Sequence, residues 1–169
     1  YFLIYGQNSG LIEEIIDKDL KPIFSKNIFK YDDSEIISDI SAFKEGLVNK
    51  SFFENDKLII INRVSDKILD IVKEISDKKD ESLKIILKSG NLEKKSKLRN
   101  FFEKSKNLII IPFYEDTHQS LLFLAQNFFK ENKIKISPQN INYIIENSKG
   151  NRINLKNELE KIKNFSQKK

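Results

Sequence analysis

The stretch Lys50–Arg63, which reads KSFFENDKLIIINR, decides the fold of this chain. It contains the unbroken apolar run Leu58–Ile61, with no polar alternation. A β-branched run of this kind is typical of a strand that is covered on both faces, as in the parallel sheets of α/β domains. The run is therefore predicted to lie inside the molecule. Phe52 and Phe53 lie just outside the run among polar residues, so they either fold back into the core or project from it.

The composition narrows the possible classes of function. With 169 residues, 39% of them apolar, the chain can bury one good core and a small addition. It has no cysteine and one histidine, His118, which excludes disulfides, thiol catalysis and histidine-based or thiolate metal sites. No apolar run approaches the roughly 18 residues that span a bilayer. We therefore expect no membrane partner, no metal and a cytoplasmic setting.

The charge is basic but evenly spread. The net charge is +5, and lysine is frequent throughout while arginine occurs only at Arg63, Arg99 and Arg152. Two interpretations stay open: the lysines form a solvated surface, or some of them form a face that binds nucleic acid.

Short apolar runs alternate with helical patterns through the first two thirds of the chain. This alternation predicts parallel strands joined by right-handed crossovers, hence a five-stranded, three-layer α/β sandwich. The predicted strands are Phe2–Tyr5, Asn27–Tyr31, Leu58–Ile61, Leu83–Leu87 and Leu108–Ile111, the last of them stopped by Pro112.

Four helices are predicted between these strands. The first carries the apolar spacing Leu11–Leu20 and is broken by Pro22, and the second runs as one helix from Ile36 to Leu47. The third is capped by Ser65 or Asp66. The fourth is rich in lysine and begins at Asn91-Leu92.

The pattern changes after Pro112, because no further β run follows. Three helices are predicted instead, and the second has Ser137 as its N-cap and Pro138 at its first position. We place a boundary near residues 113–116, which gives an α/β domain over 1–114 and a small helical domain over 115–169.

The turn after the first strand is the place for a phosphate-binding loop in such a sheet. It reads Gly6-Gln7-Asn8-Ser9-Gly10-Leu11. A nucleotide-binding loop needs a lysine for the outer phosphates and a serine or threonine for magnesium after its second glycine, but Leu11 and Ile12 stand there. The loop Gly6, Gly10, Leu11 is therefore degenerate, and we expect no nucleotide, no cofactor and no catalytic residue. His118 is interpreted as a surface or capping residue.

Taken in order, these features resemble the delta subunit of the bacterial DNA polymerase III clamp loader, the protein that opens the ring-shaped sliding clamp. The resemblance covers nearly the whole chain. It rests on the order and spacing of Tyr1–Gly6, Leu11–Glu14, Ser51–Phe53, Lys57–Ile61, Leu83–Lys88, Leu92–Lys94, Leu108–Pro112, Gly150–Asn151 and Leu155–Lys161.

The resemblance implies an AAA+-like, P-loop NTPase-related first domain that has lost its nucleotide site, then a lid-like helical domain. It implies that the collar domain of the family lies outside this chain. It also implies that Ser51, Phe52 and Phe53 bind the sliding clamp (the beta subunit) as an apolar wedge, although the family has an aliphatic residue in place of Phe52. The partners implied are the ATPase subunits and delta prime of the loader, with primed DNA contacted indirectly or weakly.

Other interpretations stay open. One of Phe52 and Phe53 can instead pack under the sheet edge while the other caps the preceding helix. The chain can instead be a DNA-binding module that uses the lysine-rich segment Lys94–Lys106. Arg152 stands where AAA+ relatives place a phosphate-sensing arginine, and without a nucleotide loop we expect a structural role for it. A nucleotide-dependent AAA+ enzyme is disfavoured by the loop.

Overall fold

The computed structural model describes residues 1–24, 27–48 and 57–166. The chain divides into two compact units, Tyr1–Phe113 and Tyr114–Lys169. No helix within the described residues is long and apolar enough to cross a membrane.

The first unit is built on a five-stranded sheet in which every strand pair is parallel. The strand order is β2-β3-β4-β1-β5. The side chains of Leu58–Ile61 are at most 2% exposed, so the run that opened the sequence is covered on both faces, as predicted. The strands are β1 (Phe2–Gly6), β2 (Ile28–Asp32), β3 (Lys57–Asn62), β4 (Leu83–Ser89) and β5 (Ile109–Phe113).

The helices of this unit are divided between the two faces of the sheet. On one face, Ile12 and Ile16 pack against a layer that includes Ile4, Ile60 and Ile86. On the other face, the helices that follow β2, β3 and β4 pack against Leu3, Ile59, Ile61, Ile85 and Leu87. The three-layer sandwich is confirmed. The helices are α1 (Ser9–Ile15), α2 (Lys21–Phe24), α3 (Asp33–Ser38), α4 (Ile40–Val48), α5 (Leu69–Asp77) and α6 (Lys97–Lys104).

Two helical boundaries differ from the prediction in the first half of the chain. Pro22 does not break the helix: a π-helical turn at Ile16–Leu20 joins α1 to α2, and the Lys21 N–H donates to the Ile16 carbonyl. The wider turn fits a proline, which has no N–H for the usual i−4 bond. The helix predicted from Ile36 to Leu47 is two helices, because Asp39 leaves helical geometry and its carboxylate caps α4 at the Ala42 N–H.

Two further boundaries differ in the second half. The lysine-rich helix begins at Lys97 rather than at Asn91, because Ser96 caps it through the Arg99 N–H. Pro112 does not stop the last strand, since β5 continues to Phe113. This strand is at the sheet edge, where proline needs no partner for an N–H group.

The second unit has three helices within its described residues, around the buried side chains of Leu121, Ala125, Phe129, Ile145 and Leu159. Pro138 occupies the first turn of the middle helix, and the hydroxyl of its N-cap Ser137 accepts from the Asn140 N–H at 3.3 Å, as predicted. The helices are α7 (His118–Glu131), α8 (Pro138–Asn147) and α9 (Arg152–Ser166).

Candidate functional site

The topology creates one crevice at the carboxyl ends of the strands. The helix after β1 covers one face of the sheet and the helix after β4 covers the other, while β1 and β4 are neighbours. Open parallel sheets bind ligands at such a switch point. The crevice lies beyond Gly6 and the Ser89-Gly90 pair, where the Gly6 N–H donates to the Gly90 carbonyl at 3.0 Å.

The turn after β1 is too short to form a phosphate cradle. Only Gln7 and Asn8 separate β1 from α1, so Gly10 and Leu11 lie inside the helix. Gly6 has a φ of +139°, and a β-carbon there would lie 1.9 Å from the Phe113 carbonyl oxygen. Gly6 is therefore required by the close approach of β5.

The beginning of α1 is capped from within the chain. The Asn8 amide oxygen accepts from the Leu11 N–H at 3.1 Å, and the Asn8 residue is only 7% exposed. Backbone N–H groups at a helix start are the groups that bind phosphate in nucleotide sites. Here one of them is already satisfied by a buried side chain.

The ammonium group of Lys88, near the end of β4, is also held in an ion pair. The Lys88 ammonium forms an ion pair with the Glu13 carboxylate of α1, across the crevice. Lys88 is the last basic residue of β4, and this ion pair compensates its charge locally. At the start of α1, Leu11 and Ile12 stand where a nucleotide-binding loop carries its lysine and its serine or threonine.

Two acidic residues at the end of β2 contact residues that follow β3. The Arg63 guanidinium lies 2.6 Å from the Asp32 carboxylate. The Ser65 hydroxyl donates to the Asp33 carboxylate at 2.7 Å. Among the described residues, no three His, Cys, Asp or Glu side chains are grouped so that they would hold a metal ion.

Asp66 connects β3 with α6. Its carboxylate accepts from the Ser96 hydroxyl at 2.7 Å and from the N–H groups of Lys97 and Leu98 at 3.0 and 2.9 Å. Desolvation acts to raise the pKa of Asp66, but these hydrogen bonds and the charge of Lys97 outweigh it, so the pKa is lowered. Ser65, not Asp66, caps the helical turn that follows β3. No local pattern identifies this role of Asp66, because its partners lie about 30 residues away.

Arg152 and His118, the two residues of the second unit considered from the sequence, lie in different environments. The Arg152 guanidinium lies 2.9 Å from the Asp116 carboxylate, in a pair that is largely buried. His118 is the first residue of α7 and is exposed. Arg152 is therefore held by an ion pair within the helical unit.

Ser51, Phe52 and Phe53, the predicted clamp-binding residues, lie outside the described residues. Their flanks are described: α4 ends at Val48 and β3 begins at Lys57. The predicted wedge therefore falls within residues 49–56, between the end of α4 and the start of β3 in the sequence.

Comparisons with known proteins find similarity at the level of fold. No protein-family model and no curated protein sequence matches the chain. Among solved structures, the Bacillus subtilis DNA clamp loader delta protein (YqeN) matches 97% of this chain with a TM-score of 0.61 and 13% identity. The replication initiator DnaA bound to AMPPCP and single-stranded DNA matches 96% with a TM-score of 0.57 and 18% identity. AMPPCP-bound DnaA from Aquifex aeolicus matches 96% with a TM-score of 0.57 and 19% identity.

These similarities confirm the predicted fold class, a five-stranded parallel α/β sandwich followed by helices, as in the clamp loader delta protein and DnaA structures. This chain spans about half the length of each of those structures, 52% of the clamp loader protein and 54% of each DnaA structure. At identities below one fifth, the similarity establishes the fold alone.

Proposed function

We propose that this chain is the first part of a delta-type clamp-loader subunit of a bacterial DNA polymerase III, which binds the sliding clamp and opens its ring during DNA replication. The observation that supports it most is an agreement between two independent features. The ordered sequence motifs resemble the delta family, and the fold is similar to that of a clamp loader delta protein over 97% of the chain.

The nucleotide crevice supports a role without catalysis by this chain. Asn8 accepts a hydrogen bond from the Leu11 N–H at the start of α1, and Glu13 pairs with the Lys88 ammonium. The N–H group and the cation that could bind a phosphate therefore already have partners within the chain. On this proposal, the partner ATPase subunits bind ATP, delta prime is a further partner subunit, and this chain contacts primed DNA indirectly or weakly. The first unit is an AAA+-like platform over residues 1–114, the region 115–169 is a lid, and the protein works in the cytoplasm.

The clamp is opened through a difference in affinity. A ligand shifts a closed ring toward an open one only by as much as it binds the open or distorted form more tightly. Two phenylalanines in an apolar clamp pocket contribute roughly several kcal/mol as a binding hot spot. Ser51, Phe52 and Phe53 are the residues that we assign to this contact.

Clamp binding by variants tests the proposal. We expect Phe52→Ala combined with Phe53→Ala to abolish co-elution with the sliding clamp of the same organism, with little change in melting temperature. Phe123→Ala is a matched control, because Phe123 is 65% exposed on α7 and its removal should leave binding intact. Retained binding together with a large fall in melting temperature would place the two phenylalanines in the core and refute the wedge.

A DNA-binding module is the second candidate, and the charge distribution favours it. Residues 84–106 carry eight basic and two acidic side chains. Lys94 and Lys97 are exposed around the start of α6, although the helix contains only part of the predicted segment. A phosphate binder loses affinity steeply as salt rises, whereas an apolar wedge does not. Salt-sensitive DNA binding that survives the double phenylalanine variant would favour this alternative.

A nucleotide-dependent enzyme is the third candidate. Titration of the chain with ATP and magnesium tests it, and we expect no binding, because Leu11 and Ile12 replace the lysine and the hydroxyl residue of a nucleotide loop.

A further inference from the structure

We infer that the segment joining α7 to α8, residues 130–137, is a nucleic-acid contact surface that binds the phosphate backbone. The segment reads KENKIKIS and carries three lysines and one glutamate, a net charge of +2. It belongs to the helical unit, whereas residues 94–106, the stretch of the second candidate function, belong to the α/β unit. The inference does not rest on the clamp contact.

The three lysine side chains of this segment have no partner among the described residues. Lys130, Lys133 and Lys135 are exposed, and none of their side chains forms an ion pair or a hydrogen bond with a described residue. Elsewhere in the same unit a lysine is compensated, since the Lys161 ammonium lies 2.7 Å from the Glu158 carboxylate. The positive charge of residues 130–137 is therefore available to an anionic partner.

The segment presents these charges on a fixed backbone. The Ile134 N–H donates to the Phe129 carbonyl at 2.9 Å, and the Asn132 side-chain amide donates to the Phe128 carbonyl at 2.8 Å. Ile134 and Ile136 pack against the core of the helical unit, so the lysines that alternate with them face outward. The backbone that carries the lysines is thus ordered before a partner binds, which lowers the conformational cost of binding.

Two neighbouring features add positive potential at the same end of the helical unit. The α8 helix begins at Pro138 with no acidic residue in its first turn, so no carboxylate offsets the partial positive charge of the helix start. The Lys163 ammonium of α9 lies 5.9 Å from the centroid of the Phe128 ring, which brings the last turns of α9 to the end of α7. The pair between Lys163 and Glu160 is long, at 3.7 Å. The positive surface therefore extends beyond the segment itself.

The chemistry of this surface favours a phosphate backbone over a protein or a membrane. Lysine is depleted in protein–protein interfaces, which depend on aromatic and apolar anchors. Segments that lie on a membrane need an apolar face beside the basic one. In residues 130–137 the apolar side chains pack toward the core, so the surface offers lysines and polar groups. Such lysines contact phosphates without reading the bases, so we expect binding without sequence preference.

The salt dependence of DNA binding by the whole chain tests the inference. The probes are a fluorescein-labelled oligothymidine and a DNA duplex of the same length, and the variant is Lys133→Gln with Lys135→Gln. The loss of two phosphate contacts should lower the slope of log affinity against log salt by roughly 1.4 on the single strand and roughly 1.8 on the duplex. An unchanged slope, or no DNA binding by the unmodified chain at low salt, would overturn the inference.

The matched control is Lys94→Gln with Lys97→Gln, which removes two exposed lysines of the α/β unit and should leave the slope unchanged. An equal fall in slope with this control would assign the binding to general charge and overturn the inference. DNA binding supports the second candidate function only where this control weakens it. The double phenylalanine variant should bind DNA as the unmodified chain does, so failure of the clamp experiment leaves this inference standing.

Two further measurements locate the contact and identify its chemistry. Oligothymidine should slow amide hydrogen exchange in residues 130–140 and leave α6 unchanged, whereas protection of α6 alone would refute the surface. Polyglutamate and phosphatidylserine vesicles should compete poorly with DNA at equal charge. Competition as effective as that of unlabelled DNA would identify an acidic protein or a membrane as the partner instead.

Discussion

The Arg152 guanidinium lies 2.9 Å from the Asp116 carboxylate, and the two side chains are only 13% and 5% exposed. Asp116 also accepts from the Ser120 hydroxyl at 2.6 Å. The contact joins the residue that precedes the N-cap of α7 to the first residue of α9. It makes Arg152 part of the packing of the helical unit.

Removing Arg152 should destabilise this unit. We expect Arg152→Met to lower its free energy of unfolding by about 3 kcal/mol, because the largely buried Asp116 carboxylate loses the guanidinium with which it is paired. Urea unfolding followed by hydrogen exchange of α7 and α9 measures the change. The control is Lys161→Met, which removes an exposed pair with Glu158 and should cost under about 0.5 kcal/mol. Equal effects of the two variants would contradict a special role for Arg152.

Gly6 should tolerate no side chain. A β-carbon at Gly6 would overlap the Phe113 carbonyl at 1.9 Å, and the φ of +139° is itself unfavourable for other residues. We expect Gly6→Ala to destabilise the α/β unit by about 3 kcal/mol or more, measured by thermal unfolding. Gly90→Ala is the matched comparison across the crevice, because a β-carbon there meets no atom within 4 Å. A Gly6→Ala protein as stable as Gly90→Ala would rule out the close approach of β5.

Stability should depend on pH through Asp66. The pKa of Asp66 is lowered in the folded chain, since the hydrogen bonds from Ser96, Leu98 and Lys97 outweigh desolvation. A lowered folded pKa means stability that is present above the unfolded pKa of about 4 and lost as pH falls below it. Asp66→Ala should therefore cost about 1 kcal/mol at pH 7, as for a lost helix cap, and less as the pH falls through the lowered pKa of the folded chain.

The control for this prediction is Asp70→Ala. The Asp70 side chain is 94% exposed and contacts only Lys73 among the ion pairs of the described residues. Urea unfolding between pH 3 and pH 7 should show a flatter profile for Asp66→Ala than for Asp70→Ala. Parallel pH profiles of the free energy of unfolding for the two variants would show that Asp66 does not determine the pH dependence between pH 3 and pH 7.

Replacing Lys133 by glycine should stabilise the helical unit. It has a φ of +56° after α7, where the Ile134 N–H donates to the Phe129 carbonyl at 2.9 Å in the pattern of a Schellman turn. Glycine adopts this conformation without the penalty of a β-carbon, so Lys133→Gly should stabilise the helical unit by about 0.5–1 kcal/mol. Lys133→Ala keeps the β-carbon and should bring no gain. A lower melting temperature for Lys133→Gly than for Lys133→Ala would refute this.

Patterns among neighbouring residues predicted the buried strand and the helix start correctly. The uninterrupted run at Leu58–Ile61 predicted a doubly covered strand, and Ser137-Pro138 predicted a helix start, because burial period and capping are properties of neighbouring residues. The same reading erred at Pro22 and Asn91. At Pro22 a π-helical turn, which has no simple sequence signal, continues the helix. At the other site both Asn91 and Ser96 are possible N-caps by residue type, and the structure uses Ser96.

By itself, the sequence determined the α/β class and the absence of nucleotide-loop residues at Leu11 and Ile12, since both depend on residue types at known spacing. Only the tertiary structure decided which charges meet. Lys88 pairs with Glu13 across 75 positions, and Asp66 caps a helix about 30 positions away. A periodic pattern specifies the buried side of an element but not its distant neighbours. Those follow from the strand order, which brings the ends of β1, β3 and β4 to one edge of the sheet.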